Sequence, residues 1–188
     1  MRELATADTT ARFFVIAAAM VVTLVAFGVV HDQVTVRLSP AYFVLAHPKV
    51  FPFTSPTLVA LGWGVFAGGS AGLPAGFLLA AAATNGRKHP PLSPRELAAP
   101  VATWIATMST IAILAGLLGY TLGSLGQIHL GGMLAETVPL SEQSRFLGVR
   151  WAHAGTYLSG LAGAVLLLLR ASRIRRLRST GSVWATNL

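Results

Sequence analysis

Cysteine is missing from all 188 residues. That removes disulfides, thiolate catalysis, iron–sulfur clusters and cysteine-based zinc sites, while leaving the compartment open. Acidic charge is almost missing too, with six Asp+Glu in the chain. Charged residues make up 11% of the sequence, against about 25% in a soluble domain. So few charges cannot cover a water-facing surface. There is no Walker loop, no dinucleotide-binding fingerprint and no nucleophile elbow, so the sequence does not point to an enzyme. Paired broken helices, the mark of many secondary transporters, are also missing.

Apolar residues are abundant, at 54%. They gather into four runs near the roughly 20 residues that cross a bilayer, at about 13–30, 58–83, 98–123 and 149–169. Helix-start chemistry marks several boundaries. Ser55-Pro56 and Ser39-Pro40 each pair a hydroxyl cap with proline at the first helical position. The second of these opens a short interfacial helix through Tyr42, Phe43 and Leu45. Ser93-Pro94-Arg95-Glu96 is a capping box, so the third helix begins ahead of its apolar part. No stretch has strand alternation. The expected fold is all-α, a polytopic membrane protein built as a four-transmembrane-helix bundle. A short segment, 1–12, precedes the transmembrane domain of 13–178, outer loops cover 31–57 and 124–148, and 179–188 reads as a disordered tail.

The net charge of +8 comes from 14 Lys+Arg. Ten of these, Arg2, Arg12, Arg87, Lys88, Arg95, Arg170, Arg173, Arg175, Arg176 and Arg178, fall on the side that carries both termini. The other four are Arg37, Lys49, Arg145 and Arg150. By the positive-inside rule both termini are cytoplasmic, and the basic residues read as topology signals rather than as a nucleic-acid surface. Arg170, Arg173, Arg175, Arg176 and Arg178 together form a patch expected to meet anionic lipid headgroups. Arg12 and the run to Ala26-Phe27-Gly28 also fit a cleaved signal peptide, but the apolar run continues past that site, which favours a span.

The second run places Ala60, Gly64, Gly68, Gly72, Gly76 and Ala80 four apart. Such spacing lets helix backbones approach closely. Packing inside the bundle is the first reading, with a homo-oligomer or a membrane partner protein as the second. Ala112, Gly116, Gly119 and Gly123 in the third run, and Gly155, Ser159 and Gly163 in the fourth, extend the pattern.

Chemistry-bearing residues concentrate on the outer side. His31, Asp32, His129, Glu136 and His153 are the candidate metal ligands, since imidazole and carboxylate suit zinc, copper or iron. A histidine pair could instead hold haem iron axially, with His31 and His153 as that pair. The plain alternative is a set of interfacial polar residues that cap helix ends. Arg150 and His153, one turn apart, would join Asp32, Glu136 or Glu142 in an ion-pair network tying loops to the bundle. Three functions follow: a structural, accessory or interaction subunit packed through glycine faces; a metal- or haem-binding redox protein; and a small transporter that depends on Arg150 or His153.

The segment from His31-Asp32-Gln33 through Ser39-Pro40-Ala41-Tyr42-Phe43 resembles a motif, HDQ followed by SPxYF, in a group of uncharacterised bacterial four-helix integral membrane proteins. Ala41 stands where that pattern has glutamate. Trp151 to Gly160 is similar to the last helix of the same group. The resemblance implies a bacterial plasma (inner) membrane, and it gives His31, Asp32, Gln33, Tyr42 and His153 a place in motifs. It carries no activity.

Overall fold

A computed structural model describes the backbone of residues 2–86 and 89–185, with side chains described from residue 8 to residue 179. Arg87 and Lys88 lie outside the described residues, as does the side chain of Arg2. Six helices follow in order: α1 (Arg2–Leu38), α2 (Pro40–Leu45), α3 (Pro56–Thr84), α4 (Pro94–Ser124), α5 (Met133–Thr137) and α6 (Leu140–Ala185). The described residues contain no strand. Four of the helices are long and apolar enough to cross a membrane: Asp8–Leu38, Pro56–Thr84, Pro94–Ser124 and Leu140–Ser179. The fold is an all-α four-helix bundle, that of a multi-pass membrane protein.

Proline marks the helix starts as the sequence implies, but the expected hydroxyl cap at Ser39 does not form: its Oγ is buried and makes no cap hydrogen bond. α2, α3 and α4 each begin on a proline that follows serine. At α4 the Glu96 carboxylate turns back to accept from Ser93 N at 2.8 Å and from Ser93 Oγ at 2.9 Å. The helix ends run longer than the apolar runs. α1 does not stop at residue 30 but carries His31, Asp32 and Gln33 on helical turns, because no glycine or proline interrupts it before Pro40. Much of the expected loop 31–57 is therefore helix. α6 likewise starts at Leu140, inside the expected loop 124–148, where Glu142 N donates to Pro139 O at 2.8 Å. At its other end α6 continues to Ala185, past the expected start of a disordered tail at 179, and residues 186–188 lie outside the described residues.

Two compact units divide the chain, and each long helix contributes to both. Unit 1 comprises Met1–Leu24, Gly69–Trp104 and Ala162–Leu188. Here Gly72 and Gly76 of α3 face α1. A Cβ on Gly72 would come within 2.9 Å of Val21 Cα, and one on Gly76 within 2.6 Å of Ala17 O. The indole of Trp104 lies across Gly163 of α6, where a methyl group would have no room.

Arg175 of α6 is also in unit 1 and is 4% exposed. Its guanidinium donates to four backbone carbonyls: Ala82 at 2.9 Å, His89 at 2.9 Å, Pro90 at 3.1 Å and Gly86 at 3.3 Å. These belong to the C-terminal end of α3 and the segment after it, where helix carbonyls lack intrahelical partners. Arg175, expected from its arginine-rich run to meet lipid headgroups, is turned inward here onto the protein's own backbone. Arg178 pairs with Glu96, and Arg170, Arg173 and Arg176 are exposed members of that patch.

Unit 2 comprises Val25–Gly68 and Ile105–Leu161. α1 and α3 meet at Gly28 and Gly64. A Cβ on Gly64 would come within 2.7 Å of Val29 Cα, and one on Gly28 within 2.5 Å of Gly64 O. Gly116, Gly119 and Gly123 of α4 lie against α6 at Ala152, Trp151 and Leu147. Both helix pairs therefore approach at backbone distance, the use that small-residue stripes have in a bilayer. Gly64, Gly68, Gly72 and Gly76 are all buried, so the glycine face of α3 is used within the chain. A core of Val36, Tyr42, Phe43, Leu130, Val138, Phe146 and Val149 gathers α2 and the segment around α5 onto the long helices.

Two outcomes are expected. Gly64→Leu lowers thermal stability in detergent by the equivalent of about 1–3 kcal/mol or prevents folding, through overpacking against α1. Ala71→Leu, on the exposed side of α3, leaves the melting temperature unchanged. Arg175→Lys lowers the melting temperature well below that of Arg173→Lys, since a lysine cannot fork to four carbonyls; equal melting temperatures would refute the structural role of Arg175.

Candidate functional site

Unit 2 brings His31 and Asp32 of α1 together with His153 of α6. One ligand atom from each lies within 4.8 Å of the others. Asp32 and His153 are buried, at 5% and 3% exposure. His153 Nε2 is 3.8 Å from Asp32 Oδ1, and the two imidazoles meet edge to face with centroids 4.7 Å apart. Thr35, one turn after His31, donates its hydroxyl to His31 O at 2.9 Å, and its oxygen lies 3.4 Å from His153 Nε2.

Each side chain has a local reason for its place. The unbroken α1 puts His31, Asp32 and Thr35 on adjacent turns. α2 folds back after Pro40, so Tyr42 stacks on His153 at 4.8 Å and Phe43 meets its edge at 5.8 Å. Phe146 packs on Tyr42 from α6. Behind them, His47 Nδ1 faces Tyr42 O at 3.3 Å, and its ring contacts Phe43 and Trp63. The HDQ and SPxYF segments and the motif around His153 thus form one cluster.

The electrostatics of this cluster are unbalanced. A buried carboxylate costs several kcal/mol unless it is paired and hydrogen-bonded. Asp32 pairs with His153 only at 3.8 Å, too long for a strong hydrogen bond. His31 Nε2 is buried with no hydrogen-bond partner, and so are Ser39 Oγ, Thr156 Oγ1 and Trp63 Nε1 in the same unit. Hydrogen-bonding groups are thus buried here without partners. A divalent cation would satisfy His31, Asp32 and His153 at once.

The donor set fits a transition metal. Bonds of about 2.1 Å in a tetrahedron place ligand atoms about 3.4 Å apart, so side-chain rotations moving the trio by roughly 1 Å would close the site. Two imidazoles and one carboxylate leave a position open, as in catalytic zinc sites and non-haem iron(II) centres. Haem fits poorly. A porphyrin must slot between its two axial imidazoles, and rings in edge contact at 4.7 Å leave no such slot.

The other expected ligands are elsewhere. His129, in the segment before α5, and Glu136, on α5, are both exposed and do not join the trio. Arg150 is exposed, and among the described residues no carboxylate lies within ion-pair distance of it, so the expected network around Arg150 and His153 does not form. Thr35 and His47 escaped the sequence reading. Thr35 had a usable signal, since it lies one turn from His31 on an uninterrupted helix. His47 had none, because it lies beyond the end of α2 and the chain reversal alone brings it back.

No family model matches the chain, and neither a curated protein nor a solved structure shows significant similarity to it.

Burial pushes the His47 imidazole below its ordinary value of 6.5, partly offset by the Tyr42 carbonyl. Burial, with the neighbouring Tyr157 and Asp32, pushes the Tyr42 hydroxyl well above its ordinary range. For His47 the unfolded chain binds the proton more readily than the folded one. Its contribution to stability is full above pH 6.5 and is lost as the pH falls from there towards the lower folded value. Thermal melts between pH 7.5 and pH 5 are therefore expected to fall with acidity, and His47→Gln flattens part of that fall. An unchanged slope in the variant would exclude His47 as a contributor.

Proposed function

We propose that this protein is a multi-pass membrane protein that binds one divalent transition metal, zinc or iron(II), through His31, Asp32 and His153. The observation that carries this reading is the buried Asp32 carboxylate, gathered with two imidazoles so that one ligand atom of each lies within 4.8 Å of the others. Tyr42 and Phe43 pack the His153 ring and exclude water from one side of it. A rigid apolar shell of this kind raises metal affinity by fixing ligand orientation. The open position allows a substrate, a water molecule or a transferred ligand to reach the ion. A purely structural subunit joined to others by its glycine face is less well supported, since that face is covered inside the chain.

We further infer a bacterial plasma membrane with both termini cytoplasmic. The support is the arginine asymmetry, with ten of the 14 Lys+Arg on the side of the termini. On that side the exposed Arg170, Arg173 and Arg176 would meet anionic headgroups, at about 1 kcal/mol each.

Metal analysis tests the central reading. Protein purified in detergent without chelators is expected to hold about one zinc or iron per chain. Asp32→Asn and His153→Ala lose it, with affinity falling by about 10- to 100-fold or more. His129→Ala keeps it. Metal-free wild type that also fails to take up cobalt(II) or zinc would end the proposal.

A further inference from the structure

A second site in unit 2 lies beside the first. A cavity of about 720 Å³ opens between α1, α4 and α6. Its walls are apolar, and Val30, Val34, Ile113 and Leu117 are 63%, 56%, 62% and 59% exposed around its open side. The only charged residues in its lining are Arg37 and Arg145, and no carboxylate joins them. Both arginines fall at one end, since Arg37 is in the last turn of α1 and Arg145 is near the start of α6. From Arg37 to Phe27 the wall runs about 15 Å along α1 at the helical rise.

That polarity selects the occupant. The two hydroxyls at the deep end are already committed, Ser109 donating to Ile105 O at 2.9 Å and Thr35 to His31 O. Arg37 uses part of its guanidinium on Gln33, and both arginines are exposed. An aqueous solute would find no partners along the apolar wall. A headgroup alone would leave that wall exposed to the bilayer. What fits is an amphiphile with an anionic head and a chain.

We propose that this groove binds one anionic phospholipid, with its phosphate between Arg37 and Arg145 and an acyl chain running towards Phe27. Guanidinium forks suit phosphate oxygens, and the chain lies against residues that in any case face lipid. This binding does not require the metal, although His31 forms part of the groove wall.

Native mass spectrometry of the delipidated full-length protein, incubated with phosphatidylglycerol or with phosphatidylcholine, tests it. About one phosphatidylglycerol per chain is expected to survive activation that strips phosphatidylcholine, because the paired guanidinium contacts need an anionic head. Arg37→Ala/Arg145→Ala weakens retention by about tenfold or more. Ile113→Trp, at an exposed position with no core to disturb, fills the groove and abolishes retention with both arginines intact. Arg170→Ala/Arg173→Ala retains the lipid, and glycerol phosphate, which has the head without the chain, does not compete. Equal retention of the two lipids, retention by either groove variant, loss in Arg170→Ala/Arg173→Ala, or competition by glycerol phosphate would each overturn the proposal.

Discussion

Close approach of backbones is the constraint on which this bundle depends. Between helices in a bilayer, burying one apolar side chain against another gains little over burying it in lipid. What remains is dispersion at short range, and that needs small residues at the contact. The pairs Gly28–Gly64, Gly72–Val21 and Gly119–Trp151 supply it. The same medium forbids unpaired backbone, and the chain answers with local devices. Hydroxyls inside the helices turn back onto carbonyls one turn earlier, as Thr84 does to Ala80 at 2.7 Å and Ser159 to Gly155 at 2.6 Å. The end of α3 is closed by the guanidinium of Arg175, which does for four carbonyls what water would do at the surface of a soluble protein.

Seen this way, the His31–Asp32–His153 cluster is an exception that calls for a cause. Elsewhere in unit 2 most of the buried side chains are apolar. Around Asp32 a carboxylate and two imidazoles lie together, with Asp32 and His153 buried and His31 Nε2 lacking a hydrogen-bond partner. Replacing them by apolar residues of similar size would remove a desolvation cost and open no cavity. A chain that keeps such a group in its interior does so for binding more readily than for stability, which is why the cluster weighs more than the glycine stripes in a functional reading.

The sequence made the bundle legible and the site only partly so. Four apolar runs, prolines after serine caps and a four-residue stripe of small residues are local signals, and local signals suffice for helices. Helix ends were less legible. His31, Asp32 and Gln33 are polar enough to suggest a loop, yet polarity does not end a helix unless glycine, proline or a cap does so. The trio itself joins residues from the end of α1 and the start of α6. Sequence could put His31, Asp32 and His153 at a common depth, but His129 and Glu136 satisfied the same criterion. Only the packing of α2 and α6 against α1 separates the clustered trio from His129 and Glu136. Arg175 shows the opposite failure. Its neighbours Arg173 and Arg176 are exposed, and nothing in an arginine-rich run reveals which member turns inward.

His31 belongs to both sites, and this shapes how they must be told apart. Its ring stacks on Phe27 at 5.8 Å and forms part of the groove wall, while its Nε2 is buried and unpartnered. A substitution at His31 therefore removes a ligand and reshapes the groove at the same time. His153 and Asp32 are buried and lie outside the groove lining, and Arg37 and Arg145 lie outside the trio. These four residues separate the sites without ambiguity. If metal and lipid prove to influence each other, His31 is the most direct route between them, and Thr35, which also lines the groove and lies 3.4 Å from His153 Nε2, is a second. A chain lying against the His31 ring would restrict its rotamers and preorganise Nε2 towards His153, so lipid and metal would favour each other's binding reciprocally.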